Sequence, residues 1–477
     1  MAAAAWFVIG PSALLSALGR HRGPETTVPT PLEDWRSATV DVVIHAERDQ
    51  PRIVLCLASL LRQTRMPRRV VLIDDGGTAR DHTVQLAREF ARANGIKLEV
   101  VVRAQSLGKA VTIKRQSREF DGDVVFVLDA DTVLESPDYI ECCVRELYQG
   151  VGIASACGSV RPLLPAHRNA LAATAGFQRW LAGDQYQDPQ QRAEPEQKLW
   201  RWLGDHYGEC VAQIEQGLIQ PGLMDRYGGT ATPLGKAVAY RRGYLKNLFD
   251  RYEPIRGDDL SECEHLFIGP ALNNEGYRNI QLAQVVARVH YPALQQLPRC
   301  AYRWSASFLQ GGHYFDALLR TPLRRRQRPP TGPGTPGADK RRIQEAYRQP
   351  FGERLTALHG RPIGTALLLG AVERIGYPAA LGVLLLLGQW AGLALLVGVE
   401  TMLALLVLAR LAPSGQRASA AVRGLLATPL RYLLIFTELF TLTRFAVQLW
   451  LTGRRRWFAH SDTPRFALGA ARQGTRA

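Results

Sequence analysis

Two acidic stretches stand out by residue type and spacing. Asp129-Ala130-Asp131 closes the run "VVFVLDADT", and "IRGDDLSECEHLF", residues 255–267, gathers Asp258, Asp259, Glu262, Cys263, Glu264 and His265. Two carboxylates one residue apart, at a bend leaving a strand, can bind one hard divalent cation; Mg²⁺ fills its remaining positions with water and phosphate oxygens. A metal so placed neutralises charge building on a departing diphosphate. A lone Asp-x-Asp serves equally well as a turn acid and helix cap. The second stretch reads as a metal site, as a general base, or as the solvated face of a helix, and its own residues leave all three open.

The elements that would position these side chains follow a strand–helix rhythm. "VDVVIHAE" precedes the helical pattern "PRIVLCLASLLRQT", with apolar residues at 53, 54, 57, 60 and 61. "RRVVLIDDGG" precedes "DHTVQLAREFARANG", where Gly95 is the expected helix stop. "IKLEVVVRA" and "DVVFVLDADT" supply a third and a fourth strand. This alternation predicts an α/β fold, a mostly parallel sheet with helices on both faces. Ligands of such sheets bind beyond the carboxyl ends of the strands. Acidic residues fall there: Glu47 after the first strand, Asp74 and Asp75 at the second, Asp129 and Asp131 at the fourth. Three acidic strand ends converging on one sheet edge favour a functional site over turn chemistry. "SLGKAV" at 106–111 fails the phosphate-loop pattern, having Arg103 where its first Gly belongs and Ala110 after the Lys. The pentapeptide "LGKAV" recurs at 234–238 with different flanks and reads as coincidence.

Hydropathy divides the chain. "IGYPAALGVLLLLGQWAGLALLVGV", Ile375 to Val399, carries no charge. A helix from Ala366 to Leu411 would reach about 70 Å, against a hydrocarbon core of about 30 Å, so two membrane helices with a turn near Gly388–Gly392 are expected. A third segment, Leu430 to Leu451, carries Arg431, Glu438 and Arg444, a polar side that would face protein. The expected organisation is an N-terminal apolar segment at 1–24, either a membrane anchor or an interfacial helix; a soluble domain at 38–315; a basic linker rich in Pro and Gly at 316–362; transmembrane helices at 363–453; and a basic tail at 454–477. Basic clusters at "RHR" and "RRRQR" place the large domain in the cytoplasm. "GRRRW" at 453–457 suggests the same side for the tail, so one of the four apolar segments is not a full span. The net charge of +16 suits anionic lipid headgroups and a diphosphate. Nucleic acid is not expected as a partner, because no nucleic-acid motif is present. Seven scattered cysteines without a CxxC pair argue against structural zinc and a disulfide framework.

The ordered set "VLIDDGG", "GK", "VLDADT", "YRR", "GDD" and "RW", followed by membrane helices, resembles membrane-embedded processive glycosyltransferases of family 2, the group of hyaluronan, cellulose and chitin synthases. The resemblance covers about residues 38 to 312 and, more loosely, the helices. It implies a GT-A fold and inverting transfer from a UDP-sugar. By that resemblance Asp74, with Asp75, contacts the uridine, Glu47 and Lys109 lie in the donor pocket, Asp129 sits near the nucleotide, and Asp131 with Asp129 binds Mg²⁺ or Mn²⁺. Asp259 becomes the general base that takes the proton of the acceptor hydroxyl. Gly235 lies near the acceptor sugar, Arg303 binds the diphosphate and Trp304 stacks on the acceptor. The family writes the last motif Q-x-x-R-W; "CAYRW" has Cys300 in the Gln position, a departure that touches acceptor positioning and processivity.

The implied function is elongation of a polysaccharide at the cytoplasmic face of a bacterial plasma membrane, in a multi-pass protein that exports the chain through its own helices. Membrane lipids and a growing polysaccharide are then its partners. A transferase adding one sugar to a lipid-linked acceptor, and a silent scaffold or export subunit, are the alternatives. Under this reading the acidic cluster divides. Asp259 faces the acceptor, Asp258 supports it or caps the following helix, and Glu262 and Glu264 occupy that helix's first turn, where its dipole favours negative charge.

Overall fold

A computed structural model of the protein describes residues 5–18, 34–47, 50–76, 82–150, 152–182, 195–256, 264–323 and 352–451. The acidic stretch with Asp258 and Asp259 lies outside the described residues, as do residues 324–351 of the basic linker and the C-terminal tail. The first half of the sheet is the parallel unit that the sequence rhythm predicts. Strands β1 (Val40–Ala46), β2 (Arg69–Asp75), β3 (Leu98–Arg103) and β4 (Val124–Asp129) stand in spatial order β3-β2-β1-β4, joined by helices Gln50–Leu60, Thr83–Asn94 and Lys109–Glu119. Gly95 ends the second helix at φ 68°, a left-handed conformation that costs glycine least.

Period-two alternation splits these strands between two cores. Val42, Ile44, Val70, Leu72, Phe126 and Leu128 pack on helices Gln50–Leu60, Thr83–Asn94 and Tyr139–Gln149. Phe126 lies edge-on to Tyr139 with ring centres 6.1 Å apart, and truncating it to Ala would cost about 3–5 kcal/mol. Val43, Val71, Ile73, Val125 and Val127 face the opposite side. That second core continues through Tyr207 and Phe249 to Ala404, Leu408 and Leu434 of the C-terminal helices. The sheet and the apolar C-terminal helices therefore share one apolar interior.

Beyond β4 the sheet departs from the expected pattern and becomes mixed. Strands β5 (Thr132–Leu134), β6 (Ile153–Pro162), β7 (Ala237–Arg241) and β8 (Arg278–Val289) complete the order β3-β2-β1-β4-β7-β6-β8-β5. β7 runs antiparallel to both β4 and β6, β8 parallel to β6, and β5 antiparallel to β8. The physical reason lies in connection length, since antiparallel neighbours here are far apart in sequence and leave no local crossover signature. The reversal has a consequence for the site. In the β4–β7 register Leu128 stands opposite Ala237, which brings the start of β7 against the acidic end of β4.

Three C-terminal helices are long and apolar enough to cross a membrane: Pro362–Leu386, Trp390–Leu411 and Arg417–Leu451. The expected turn falls at 387–389, with Gly388 at φ 63°. The third helix starts earlier than its apolar segment suggests, and Arg431 and Glu438 are buried in protein.

Of the N-terminal segment, residues 5–18 are described. Its helix covers only Pro11–Ala17, about 10 Å at 1.5 Å per residue. The preceding backbone is irregular and enters the helical bundle, where Val8 N and Ile9 N donate to the Glu400 carboxylate at 2.7 and 3.0 Å. Arg431 Nη2 pairs with Glu400 Oε1 at 2.6 Å, and its Nε donates to the Trp6 carbonyl at 2.8 Å. The guanidinium also lies over the Tyr377 and Tyr432 rings at 5.3 and 5.2 Å. Non-helical backbone enclosed among apolar helices survives only when its polar groups are satisfied inside protein, and Glu400 and Arg431 do that.

Candidate active site

The end of β4 carries the densest charge arrangement among the described residues. Asp129 N donates to the Lys236 carbonyl at 3.0 Å, and Ala130 N to the His45 carbonyl at 2.9 Å, so neighbouring strands fix the bend on both sides. Lys109 Nζ approaches Asp129 Oδ1 at 2.6 Å and also donates to the Gly235 carbonyl. Lys236 Nζ sits 2.9 Å from Asp129 Oδ2 and 3.2 Å from both oxygens of Asp131. Desolvation alone would push the Lys236 ammonium down, but Asp129 and Asp131 outweigh it and hold the group above its ordinary value.

Four of the expected site residues thus meet: Asp129, Asp131, Lys109 and Gly235. Lys236 joins them, and sequence reading passed it over. The signal was present, because both lysines are the Lys of an "LGKAV" pentapeptide. The first copy opens helix Lys109–Glu119, the second leads into β7, and the two copies deliver their ammonium groups to one carboxylate.

Asp75, at the end of β2, has both oxygens engaged within the protein. It accepts from Arg103 Nη1 at 3.1 Å, Ser106 Oγ at 3.0 Å, Leu107 N at 3.1 Å and Gly108 N at 2.7 Å. Burial pushes its carboxyl up; the Leu107 amide, the Arg103 guanidinium and the Gly108 amide more than offset that and hold it below the usual carboxylate range. The loop at 106–108 therefore presents two amides to Asp75, the same kind of donor that a phosphate loop turns to its ligand. Asp74 is buried at the preceding position and, by strand alternation, points to the other face. Glu47 is exposed just past β1.

Arg303 and Trp304 lie on helix Leu297–Tyr314, Arg303 exposed and Trp304 half-buried against the core shared with the apolar C-terminal helices. Burial raises the thiol of Cys300, one turn earlier, while Arg303, Lys236 and Arg299 pull it the other way. His290, just past β8, is held down to about 2, first by burial and then by Arg52, Arg201, Arg168 and Lys236. Its imidazole is therefore neutral near pH 7, and the cations around it come from stretches far apart in sequence. A positive basin beside two carboxylates suits a ligand made of a divalent cation and a diphosphate.

The fit to a metal can be judged from the donors. Asp129 and Asp131 offer hard oxygen ligands, and Lys236 Nζ marks a place where positive charge bridges both. Among the described residues no three His, Cys, Asp or Glu side chains converge to hold an ion. A cation here would complete its shell with water and phosphate oxygens, the habit of Mg²⁺.

The model described as "Glycosyltransferase like family 2" matches residues 38–269. An N-acetylglucosaminyltransferase of Bradyrhizobium diazoefficiens is 26% identical over 275 residues, which cover 56% of this chain and 48% of that protein. The chain thus spans about half the length of the curated relative it matches. Among solved structures, a mannosyltransferase from Pyrobaculum calidifontis in complex with GDP-Man and Mn²⁺ is similar over 85% of this chain and 91% of that one, with TM-score 0.44 and 18% identity. A glucosyl-3-phosphoglycerate synthase from Mycobacterium tuberculosis, in complex with Mg²⁺ and UDP, covers 60% and 86%, with TM-score 0.30 and 17% identity.

Proposed function

We propose that this chain is an inverting glycosyltransferase that takes a UDP-sugar and elongates a polysaccharide at the cytoplasmic face of the plasma membrane, a reading supported by the match of residues 38–269 to the glycosyltransferase family 2 model. The observation that carries the reading is the cation position between Asp129 and Asp131, next to a basin of basic side chains. Asp131, with Asp129, would hold Mg²⁺ or Mn²⁺, which when bound supplies charge neutralisation at the leaving diphosphate. Lys109 and Arg303 add cationic contacts to the same group. Asp74 and Glu47 would line the nucleoside side of the donor pocket. Asp75 would act on that pocket indirectly, by fixing the loop at 106–108.

Transfer needs one base. Asp259 takes the proton of the acceptor hydroxyl as its oxygen bonds to the anomeric carbon, and the bond from that carbon to UDP breaks with inversion. Gly235 and Trp304 would contact the acceptor. Taken with the similarity to the Bradyrhizobium N-acetylglucosaminyltransferase, UDP-N-acetylglucosamine is the first donor to try. Three helices of spanning length support multi-pass insertion.

A second reading, one sugar added to a lipid-linked acceptor, is favoured by an apolar cavity of about 260 Å³. Leu266, Phe308 and Phe315 line it from the catalytic side, and Leu367, Ala371 and Phe445 from two membrane helices. Leu266 lies on helix Glu264–Glu275, so an alkyl chain there would run between that helix and the apolar C-terminal helices. Full-length protein in detergent, given Mn²⁺ and a panel of UDP-sugars with and without acceptor lipid, separates the readings. A ladder of growing product supports polymerisation; one defined glycolipid supports the second reading. Failure to release UDP from any donor would count against both.

A further inference from the structure

The two lysines at Asp129 and Asp131 differ in how firmly they are held. Lys109 is 9% exposed and tied to the Gly235 carbonyl as well as to Asp129, so its ammonium is built into the site. Lys236 is 40% exposed, and its ammonium contacts the two carboxylates from the open side. Its backbone is fixed, because Lys236 N donates to the Leu234 carbonyl at 2.9 Å and its own carbonyl accepts from Asp129. Only the four-carbon stem is left to move, and a lysine stem reorients readily.

Charge bookkeeping then constrains what a cation must do. Among the described contacts two carboxylates face two ammonium groups, and these four side chains carry no net charge. Adding a divalent cation with both lysines in place would leave two excess positive charges in a partly buried site, against Coulomb repulsion. Withdrawal of Lys236 removes one of them and frees the carboxylate oxygens that it covers. The remaining excess of one positive charge, together with the withdrawn Lys236 ammonium, balances the two negative charges of a sugar-nucleotide diphosphate.

We propose that Lys236 is an exchangeable counter-ion of the Asp129–Asp131 pair, holding both carboxylates until a divalent cation takes them, after which its ammonium turns to the diphosphate of the donor. The proposal deepens the metal-dependent reading above and rests on it. Lys236 is thereby a positioning residue that couples two binding events. Metal alone competes with the lysine, whereas metal and diphosphate together satisfy every charge, so each ligand strengthens the other.

Mn²⁺ binding to the full-length protein in detergent, followed by electron paramagnetic resonance without nucleotide, tests this directly. K236Q and K236M should bind Mn²⁺ on the order of tenfold more tightly than wild type, and K236R, whose guanidinium can re-pair both carboxylates, should not. Addition of UDP should then raise Mn²⁺ affinity less in K236Q than in wild type. Unchanged or weaker Mn²⁺ binding in both K236Q and K236M, with wild-type thermal melts, overturns the proposal. D131N separates the two levels of inference. Loss of Mn²⁺ binding in D131N upholds the metal site, whatever the lysine variants do; wild-type binding in D131N brings down the metal site and the exchange with it.

Discussion

Two acid–base clusters, one in the apolar C-terminal helices and one at the sheet edge, use the same chemistry for opposite ends. Glu400 and Arg431 are 0% and 1% exposed, and the backbone of residues 6–9 shares the pair. Such a pair contributes specificity more than energy, but breaking it strands a charge in an apolar interior. Asp129 and Asp131 are also paired with cations, yet one of those cations stands at an open face. A sealed pair clasps a segment in place, whereas a half-open one can trade its cation. Asp75 lies between these extremes: it is buried like the clasp but serves the loop beside the site.

The contrast can be broken at its strongest point first. Arg431→Met leaves the Glu400 carboxylate buried without its cation and should cost about 3–5 kcal/mol, seen as a large drop in the detergent melting temperature. A melt indistinguishable from wild type would mean that the pair clasps nothing. Asp75→Asn comes next. It weakens the bond from Arg103 and the two amide bonds, for about 1–3 kcal/mol of stability, and it should raise the donor KM by loosening the loop at 106–108.

The depressed carboxyl of Asp75 also sets a pH signature. Its contribution is complete above the ordinary carboxylate pKa of about 4 and is lost as pH falls through the lower folded value. The stability gap between wild type and Asp75→Asn should therefore narrow on acidification; a gap that stays constant down to pH 2 contradicts the assignment. At the small end, Arg115 and Glu119 form a solvated pair one helical turn apart. Glu119→Gln should change stability by no more than about 0.5 kcal/mol, and the difference should vanish in high salt.

Much of this arrangement was legible in the sequence, but unevenly. Short-range signals carried through: four apolar runs became β1 to β4, Gly95 ended its helix, and the turn between two apolar helices fell at 387–389. What pairs at long range did not. The order of β5 to β8 depends on contacts between distant stretches, and no periodicity encodes it. Lys236 reaches the site through that same pairing, so its repeat of "LGKAV" looked incidental until β7 lay beside β4. Asp74 and Asp75 look equivalent in "LIDDGG", yet strand alternation sends them to different faces and gives Asp75 to the loop. Composition marked the N-terminal segment as apolar; only the partners of Glu400 and Arg431 distinguish a docked segment from a spanning helix. The acidic stretch at 257–263 lies in sequence between helices Arg242–Arg256 and Glu264–Glu275.

That stretch bears the most consequential assignment. The decisive measurement is UDP release from the best donor by full-length Asp259→Asn, beside wild type, in the same detergent and with Mn²⁺. The account predicts a fall in kcat of about 10²- to 10⁴-fold with Mn²⁺ binding retained, because the base is lost while the metal carboxylates at Asp129 and Asp131 are untouched. Wild-type turnover in Asp259→Asn would contradict it.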